Sequence, residues 1–317
     1  MTVKNVAAAA TPTFRIRCAN SGDRIAIAAL IRESTNSWYQ ARGNPPIFAG
    51  EADATLLFPD VYAALDGECC LLAEDDGLLG SCFYHPRSTH VGLGIMNVAP
   101  TAFGRGVASA LLDRIIAIAE DLGLPVRLVS SAGNLDSYSL YTRRGFVPRA
   151  LFQDMILPVP ADGISSYEPP ADVVLRPAEP SDVEAIAALE LELCGIERTN
   201  DHRYFLANPS QGWQTSVAID ADGRVVGSLA SIDHPGSRML GPGMMRDDET
   251  ALALILYALN RRKSWSPVFL VPADRSGLVG ELYRRGGRNL ELHLLQTRGA
   301  CPTLRGVTMP TFMPETG

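Results

Sequence analysis

The chain repeats itself, and this duplication constrains its fold more than any other feature of the sequence. Residues 17–30 and 176–189 share an arginine, an aspartate and an Ala-Ile-Ala-Ala-Leu run at a constant offset of 159. Further downstream the offset is 142, with Pro125 matching Pro267 and Gly145 matching Gly287. Several matches in the same order at constant spacing indicate tandem copies of one structural unit. We therefore expect two similar domains, the second of them 17 residues shorter in its first half.

Proline-rich and polar segments separate the two copies and close the chain. Residues 158–172 hold four prolines among glycine and polar residues, a composition typical of a linker. From Gly299 onward the chain is again rich in proline, threonine and glycine, and we expect this tail to be non-helical. The sequence thus divides into a flexible lead (1–13), a first domain (14–157), a linker (158–172), a second domain (173–298) and a tail (299–317).

The apolar pattern of the first copy predicts a mixed α/β domain, with a mainly antiparallel sheet and flanking helices. The turn signal Asp75-Asp76-Gly77 separates two apolar runs, as in a β-hairpin, and a strand–helix–strand unit follows. A long irregular stretch containing Trp38 and Tyr39 is expected between the first helix and the hairpin. Strands are predicted at 14–17, 69–74, 79–84, 91–98, 126–130 and 146–157, and helices at 23–35, 107–122 and 137–144.

Composition and charge exclude several classes of function. The net charge of −7 argues against nucleic-acid binding and against adhesion to anionic membranes, both of which need surplus Lys and Arg. We find no run of 18 apolar residues for a membrane span, and the first 13 residues are too weak for a signal peptide. The six cysteines form no C-x-x-C pair and the five histidines are scattered, so we expect a cytoplasmic protein without a metal site.

One segment of the first copy has the chemistry of an anion site. Residues 97–108 read Asn-Val-Ala-Pro-Thr-Ala-Phe-Gly-Arg-Gly-Val-Ala and join a predicted strand to the start of a predicted helix. Gly104 and Gly106 allow close approach of the backbone, and free N–H groups at the helix start point toward an anion. The segment has neither the Gly-Lys-Ser/Thr of a P-loop nor the third glycine of a Rossmann fingerprint. Alone, it is a weak signal.

The signal of residues 97–108 becomes specific when a second segment, residues 134–146, is considered with it. Together they resemble the GNAT superfamily of acetyl-CoA-dependent N-acyltransferases, in a tandem form with a degenerate second copy. The resemblance covers residues 14–157. Two positions depart from the family pattern, since Phe103 replaces Gln or Arg and Ser137 replaces Ala. The matching positions are Val98 and Pro100, then Gly106 and Ala108, then Asn134, Leu140, Tyr141, Gly145 and Phe146.

The resemblance implies a role for each of these positions. The strand ending in Met96, Asn97 and Val98 would pair with the pantetheine of acetyl-CoA, the co-substrate. Asn134 would hydrogen-bond the same arm, with Ser137 beside it, and Tyr141 would protonate the leaving thiolate as general acid. Packing of Tyr141 as an ordinary core aromatic is the alternative. The coenzyme pyrophosphate would be held by backbone amides of Phe103, Gly104, Arg105, Gly106, Val107 and Ala108.

The second copy is expected to have lost this site. At the offset of 142, Gly104 becomes Arg246, Gly106 becomes Asp248 and Asn134 becomes Ser276. Carboxylates in that place repel a diphosphate. The degenerate copy would either support the first or help to shape its acceptor cleft. The two copies could pack as a pseudo-dimer within one chain, and we expect the protein to be a monomer or a homodimer.

The acceptor and its general base stay open at this point. No carboxylate lies between Tyr84 and Asp113, and the nearest titratable groups, His85 and His90, are expected to be exposed turn residues. Trp38 and Tyr39 either line the acceptor opening or pack in the core.

Two functions from different classes remain. One is direct acetyl transfer in the N-terminal domain to an amine, either a small molecule or a protein amine; an O- or thiol-acyltransferase is a near variant. The other is a non-catalytic acyl-CoA sensor or scaffold. The missing carboxylate base favours the sensor, whereas retention of Asn134 and Tyr141 favours the enzyme.

Overall fold

The computed structural model describes residues 14–50, 53–165, 167–209 and 211–311. The lead 1–13 and the last six residues of the tail lie outside the described residues. None of the described helices is long and apolar enough to cross a membrane. In the first half, strands β1 to β6 are Arg15–Cys18, Cys70–Glu74, Leu78–Pro86, Val91–Val98, Val126–Ser131 and Val147–Ile156, and helices α1 to α4 are Arg24–Gln40, Leu57–Asp66, Val107–Leu122 and Leu135–Arg143.

The second half repeats this order of elements, and the connection between its first two helices is shorter than in the first half. A last short strand then follows from the segment predicted as a non-helical tail. Strands β7 to β13 are Val174–Pro177, Trp213–Ile219, Val225–His234, Ser237–Met245, Val268–Pro272, Arg288–Arg298 and Val307–Met309, and helices α5 to α8 are Val183–Cys194, Thr199–Ala207, Asp248–Asn260 and Ser276–Arg284.

The described strands form one mixed sheet in which the halves exchange their final strands. The order is β1-β2-β3-β4-β5-β12-β6-β11-β10-β9-β8-β7, with β13 added beside β10. Strand β5 of the first half pairs antiparallel with β12 of the second, and β11 of the second pairs antiparallel with β6 of the first. The neighbours β12 and β6 pair with each other at the centre. The expected mixed α/β fold of two tandem domains is confirmed, and the halves are interlocked.

The same ion pair anchors the start of both halves, as the repeat predicts. Arg17 donates to both carboxylate oxygens of Asp23 at 2.7 and 2.8 Å, and Arg176 does the same to Asp182 at the same distances. Both aspartates also accept a backbone N–H just before the first helix of their half. The pair therefore fixes the turn from the first strand into that helix in each copy.

Helix α3 shows why the apolar period of the first copy produces a packed layer. Its residues at positions 107, 111, 112, 115, 116 and 119 are buried against the sheet, which is the spacing of one helix face. Gly80 on β3 admits this contact, because a Cβ there would lie 2.6 Å from Val107 Cγ1. Close helix–sheet packing at this end sets the position of the segment that leads into α3.

Between the first helix and the hairpin, the prediction of an irregular stretch is wrong. Helix α1 runs to Gln40 and so includes Trp38 and Tyr39, and helix α2 occupies part of the remainder. Pro59 lies in the first turn of α2, where a missing N–H costs no hydrogen bond, so proline did not exclude a helix.

The strands show where the second copy is shorter. The equivalent residues Arg17 and Arg176 pair with Leu72 and Val217, which are therefore equivalent as well. Leu72 and Val217 are 145 positions apart, so the offset drops from 159 to 145 before β8. A second loss follows β10: eight residues separate β4 from α3, whereas two separate β10 from α7. The single offset of 142 therefore hides two separate deletions.

Candidate active site

A cavity of about 770 Å³ opens on the first half, where β4 and β5 diverge. The two strands pair in parallel at Val91 with Val126 and at Gly92 with Arg127. Beyond Gly92 the other edge of β4 stays paired with β3 as far as Val98, while β5 turns away to β12. The walls of the cavity come from α1, the end of β4, the segment before α3 and the start of α4. The predicted site residues among its lining are Met96, Asn97, Val98, Phe103, Gly104, Gly106, Val107, Ala108, Asn134 and Ser137.

The segment leading into α3 has the backbone that the glycines predict. Gly104 has φ +78° and Gly106 has φ +80°, both in the left-handed region that side chains disfavour. Gly106 is the N-cap of α3, so the first-turn amides of the helix face the cavity without an acceptor of their own in the helix. The arrangement suits an anion, because these N–H groups and the helix dipole act at the same place.

Two residues of this segment are less available to a ligand than the sequence predicts. Arg105 pairs with Asp75 at 2.6 Å, does not line the cavity, and donates its N–H to Ala102 O at 3.2 Å. Phe103 is 57% exposed at the rim of the cavity, and its N–H donates a hydrogen bond to Pro100 O at 3.4 Å. The amide of Phe103 is thus engaged within the segment, and the glycines with the first turn of α3 are left to receive an anion.

The end of β4 is held in place from α1. Asn97 Nδ2 donates to Ser34 Oγ at 2.6 Å, and both residues line the cavity. Trp38 and Tyr39 on α1 also line the cavity, and a role for them beside the acceptor stays a prediction. Helix α1 consequently forms one wall of the opening beside β4.

Helix α4 contributes the third predicted segment. Asn134 is its N-cap and accepts the Ser137 N–H at 3.2 Å, while both side chains line the cavity. Tyr141 is one helical turn after Ser137 on the same face. It is only 5% exposed, packs against Phe146 with ring centroids 5.7 Å apart, and is not among the lining residues. The structure therefore brings Asn134 and Ser137 to the cavity and places Tyr141 behind them.

At the corresponding place in the described second half, two residues rather than eight join the strand to the helix, which is not the change that was predicted. Gly227 pairs with Met245 as Gly80 pairs with Val98, so Met245, the last residue of β10, is the equivalent of Val98, the last residue of β4. The glycine segment is therefore deleted, and the comparison of Gly104 and Gly106 with Arg246 and Asp248 is wrong.

Strand β13 lies where the two strands would diverge. It pairs with β10 from Gly243 to Met245, on the edge of β10 that pairs with β11. A ligand that pairs with β10 at this edge would have to displace β13.

The offset of 142 is also wrong by one at the last helix. Gly145 and Gly286 both have positive φ, of 83° and 92°, so they are the equivalent pair. Tyr141 then corresponds to the fully buried Leu282 and Asn134 to Arg275, the residue before α8. Tyr283 is exposed and donates to Gln153 Oε1 at 2.6 Å. The tyrosine of the first half therefore has no aromatic counterpart.

The predicted positions of the histidines of the first half are wrong as well. His85 and His90 are both buried, and neither lines the cavity. His85 Nδ1 lies 2.6 Å from Asp66 Oδ2, next to Arg87. Burial lowers the pKa of His90 well below its usual value. These side chains belong to the packing between the halves.

Sequence reasoning missed a polar cluster beside the cavity, because its members come from both halves. Asp154 on β6 is paired with Glu291 on the exchanged strand β12, and His293 lies two residues further along β12. Their possible ligand atoms lie within 4.8 Å of one another, which is close enough for the three to hold one metal ion. Two hydroxyls that line the cavity reach the cluster. Ser131 donates a short hydrogen bond to Glu291 Oε1, and Tyr39 donates to Glu291 Oε2 at 3.4 Å.

Burial sets the protonation of this cluster. It raises the pKa of Asp154 to about 7, with the negative charge of Glu291 acting in the same direction. Burial also lowers the pKa of His293 to about 4, so that ring is neutral at pH 7. The pKa of the Tyr39 hydroxyl lies well above its usual value, through burial and the same two carboxylates. Near neutral pH, Asp154 therefore exchanges its proton readily.

Replacing Asp154 with Asn should change the pH dependence of stability. Asp154 has a pKa of about 7 in the folded chain against about 3.9 unfolded, so it stabilises the fold below pH 4 and loses that contribution by pH 7. The free energy of unfolding of Asp154→Asn minus that of the parent should therefore rise by roughly 2 to 4 kcal/mol between pH 4 and pH 8. Urea titrations at several pH values measure it, and parallel curves for the two proteins would contradict the assignment.

Comparisons with known proteins agree with this geometry. Residues 31–146, which include the cavity's β4–α3 segment, match the Acetyltransferase (GNAT) family. No curated protein matches the chain.

Among solved structures, the chain is similar to a putative acetyltransferase from Pyrococcus horikoshii, at 14% identity and a TM-score of 0.70, over 96% of this chain and 95% of that one. A GCN5-related N-acetyltransferase from Sphaerobacter thermophilus is 21% identical, with a TM-score of 0.64 over 93% and 98%. A tandem GNAT protein from the clavulanic acid biosynthesis pathway is 16% identical, with a TM-score of 0.59 over 92% and 99%. At these identities the likeness shows the fold. The chain thus has the tandem GNAT fold, and its N-terminal half carries a domain of the GNAT acetyltransferase family.

Proposed function

We propose that the first half transfers an acetyl group directly from acetyl-CoA to an amine acceptor. The observation that carries this proposal is the cavity between the diverging strands β4 and β5, which ends at two left-handed glycines and the open first turn of α3. A long ligand with a strand-like arm and an anionic end matches both features. The acceptor would be a small molecule or a protein amine, in a cytoplasmic setting.

The residues present fit acetyl-CoA in the following way. Gly104, Gly106 and the first-turn amides of α3 would hold the pyrophosphate, since no Cβ narrows the approach at either glycine. The free edge of β4 at Met96–Val98 would pair with the pantetheine arm. Asn134 uses its side-chain oxygen as a helix cap, which leaves its amide N–H group to donate to that arm. When bound, the coenzyme supplies the activated thioester.

The test of this function is a calorimetric titration of acetyl-CoA with the stoichiometry as readout. One site per chain is expected, because the second half lacks the glycine segment and β13 covers the edge of β10. The result that sinks the proposal is an absence of binding, and two sites per chain would refute the loss of the second pocket. A primary-amine screen with detection of the released thiol follows.

Tyr141 is proposed as the general acid that protonates the leaving thiolate. Its place one turn after Ser137 directs it toward the cavity wall, and a phenol and a thiol have similar pKa values. Tyr141→Phe should lower kcat by roughly 10²-fold and leave the acetyl-CoA affinity unchanged. Steady-state kinetics with a titration of each protein checks this, and equal kcat values would remove Tyr141 from the mechanism.

One observation favours the alternative of a non-catalytic acyl-CoA sensor or scaffold. Tyr141 is packed in the core, and a chain that only binds the coenzyme needs no more than that. The amine screen separates the two functions, since a sensor binds acetyl-CoA and releases no thiol with any amine.

A further inference from the structure

The exchange of strands brings carboxylates of both halves to one place beside the cavity. Glu291 enters on β12, which pairs with β5 on one side and with β6 on the other. Its two carboxylate oxygens accept hydrogen bonds from Ser131 and Tyr39. Both of these hydroxyl residues line the cavity, so Glu291 is connected to its interior through them. The second half thereby reaches the site of the first through a single side chain.

Asp154 gives this place a second and independent feature. It is 8% exposed, and its Oδ1 atom is buried without a hydrogen-bond partner among the described residues. Its other oxygen lies 3.8 Å from His293 Nδ1. A buried carboxylate oxygen without a donor is costly, and it favours uptake of a proton or of a cationic group.

We infer that Glu291 and Asp154 accept the proton of the acceptor amine, relayed through the Ser131 hydroxyl, and that the acceptor is an aliphatic amine. The inference rests on the proposed acetyl transfer. An aliphatic amine arrives as an ammonium ion and must lose a proton before its nitrogen can attack. The carboxylate pair attracts that cation, and Ser131 already donates to Glu291, so a proton can pass from the cavity along an existing hydrogen bond.

Protons and electrons balance in the transfer of the acetyl group to the amine. The ammonium gives one proton through Ser131 to the carboxylate pair, which later releases it to solvent. The nitrogen lone pair forms the C–N bond as the C–S bond breaks. The nitrogen then loses a second proton while the thiolate takes one up, so the products are the amide, the thiol and one proton.

The groups that face the pair agree with this role. Tyr39 on α1 holds its proton far above neutral pH, and His293 on β12 is neutral at pH 7, so neither competes for the proton there. Asp154 faces Glu291 across the β6–β12 pairing, with carboxylate oxygens within 4.8 Å, so a proton taken up by one can be shared with the other. Glu291 and Asp154 act through Ser131 and are positioning and relay residues.

The experiment measures acetyl-CoA turnover against pH with a panel of n-butylamine, spermidine and a lysine-containing peptide. Glu291→Gln should lower kcat/KM by roughly 10²- to 10³-fold and move the acid limb of the pH profile to lower pH, because Asp154 loses the negative charge that raises its pKa. Glu291→Asp should restore part of the rate, and Ser131→Ala should give a similar loss without removing a charge. Asp154→Asn should flatten the acid limb, because it removes the carboxyl group whose pKa is raised to about 7. The matched control is Glu249→Gln, an exposed carboxylate in the first turn of α7, which should change nothing.

Each outcome decides between the proposals. A Glu291→Gln protein with the parent pH profile and rate overturns the relay and leaves acetyl transfer standing. Activity that disappears with a chelator and returns with Zn²⁺ also overturns the relay, in favour of a metal held by Asp154, Glu291 and His293. Acetyl-CoA binding that persists in all variants while turnover falls supports the relay. A parent chain that binds acetyl-CoA but acetylates no amine of the panel overturns both the relay and the amine acceptor.

Discussion

Replacing Glu190 with Gln should destabilise the chain by about 3 to 5 kcal/mol. Glu190 is 1% exposed and accepts hydrogen bonds from Arg198 Nε at 2.8 Å and from His202 Nε2 at 2.8 Å. Although burial raises the pKa of Glu190, the charges of Arg198 and His202 lower it to about 2, so the carboxylate is ionised at neutral pH. A neutral amide would leave the guanidinium of Arg198 buried without its counter-charge.

Helix α5 provides a matched control for this substitution. Glu192 lies two residues away and makes a two-bond pair with Arg246 at 2.6 and 2.7 Å, but its side chain is 47% exposed. Glu192→Gln should cost less than about 1 kcal/mol, because solvent screens an exposed pair. Urea unfolding of both variants measures the difference. Similar losses for the two would mean that burial does not set the strength of the Glu190 pair.

Replacing Gly106 with Ala should weaken acetyl-CoA binding by roughly 10- to 100-fold while the chain stays folded. Gly106 has φ +80°, and a Cβ there meets no atom within 4 Å, so the effect comes from the backbone and not from a clash. An alanine in the left-handed region costs about 1 kcal/mol. Relief of that strain turns the amides at the start of α3 away from the cavity, and the anion would lose several donors together.

The opposite end of the same helix offers the control. Gly123 ends α3 with φ +68° and also has open space around a Cβ, but it does not line the cavity. Gly123→Ala should therefore cost a similar amount of stability and leave the acetyl-CoA affinity unchanged. Calorimetric titration of both variants separates the two roles. An unchanged affinity in Gly106→Ala would show that the segment does not bind the pyrophosphate.

Local patterns predicted much of the first half, because each depends on neighbouring residues. The turn Asp75-Asp76-Gly77, the apolar period after Val107 and the glycines at 104 and 106 act over a few residues, and the elements there agree with the prediction. The extension of α1 through Trp38 was missed, since that stretch has no clear apolar period and is stabilised by packing against β4 and the cavity wall.

The exchange of strands could not be read from the sequence, and the Glu291 cluster depends on it. The apolar pattern of a segment predicts that it forms a strand, but not which strand it pairs with. Since β6 and β12 are equivalent strands of the two halves, either of them fits either half. Glu291 and Ser131 are 160 residues apart and belong to different copies. A search for partners of Ser131 within the first copy alone could therefore not find Glu291.

The exchanged strands also affect how mutations in the second half should be interpreted. Removing the second half would take β12 from between β5 and β6, and with it Glu291, so the first half cannot be studied as a truncated enzyme. Under the proposed function, the second half would lack a glycine segment of its own and still contribute Glu291 beside the cavity of the first half. Substitutions in β12 would then change the acceptor side of a site whose other walls belong to the first half.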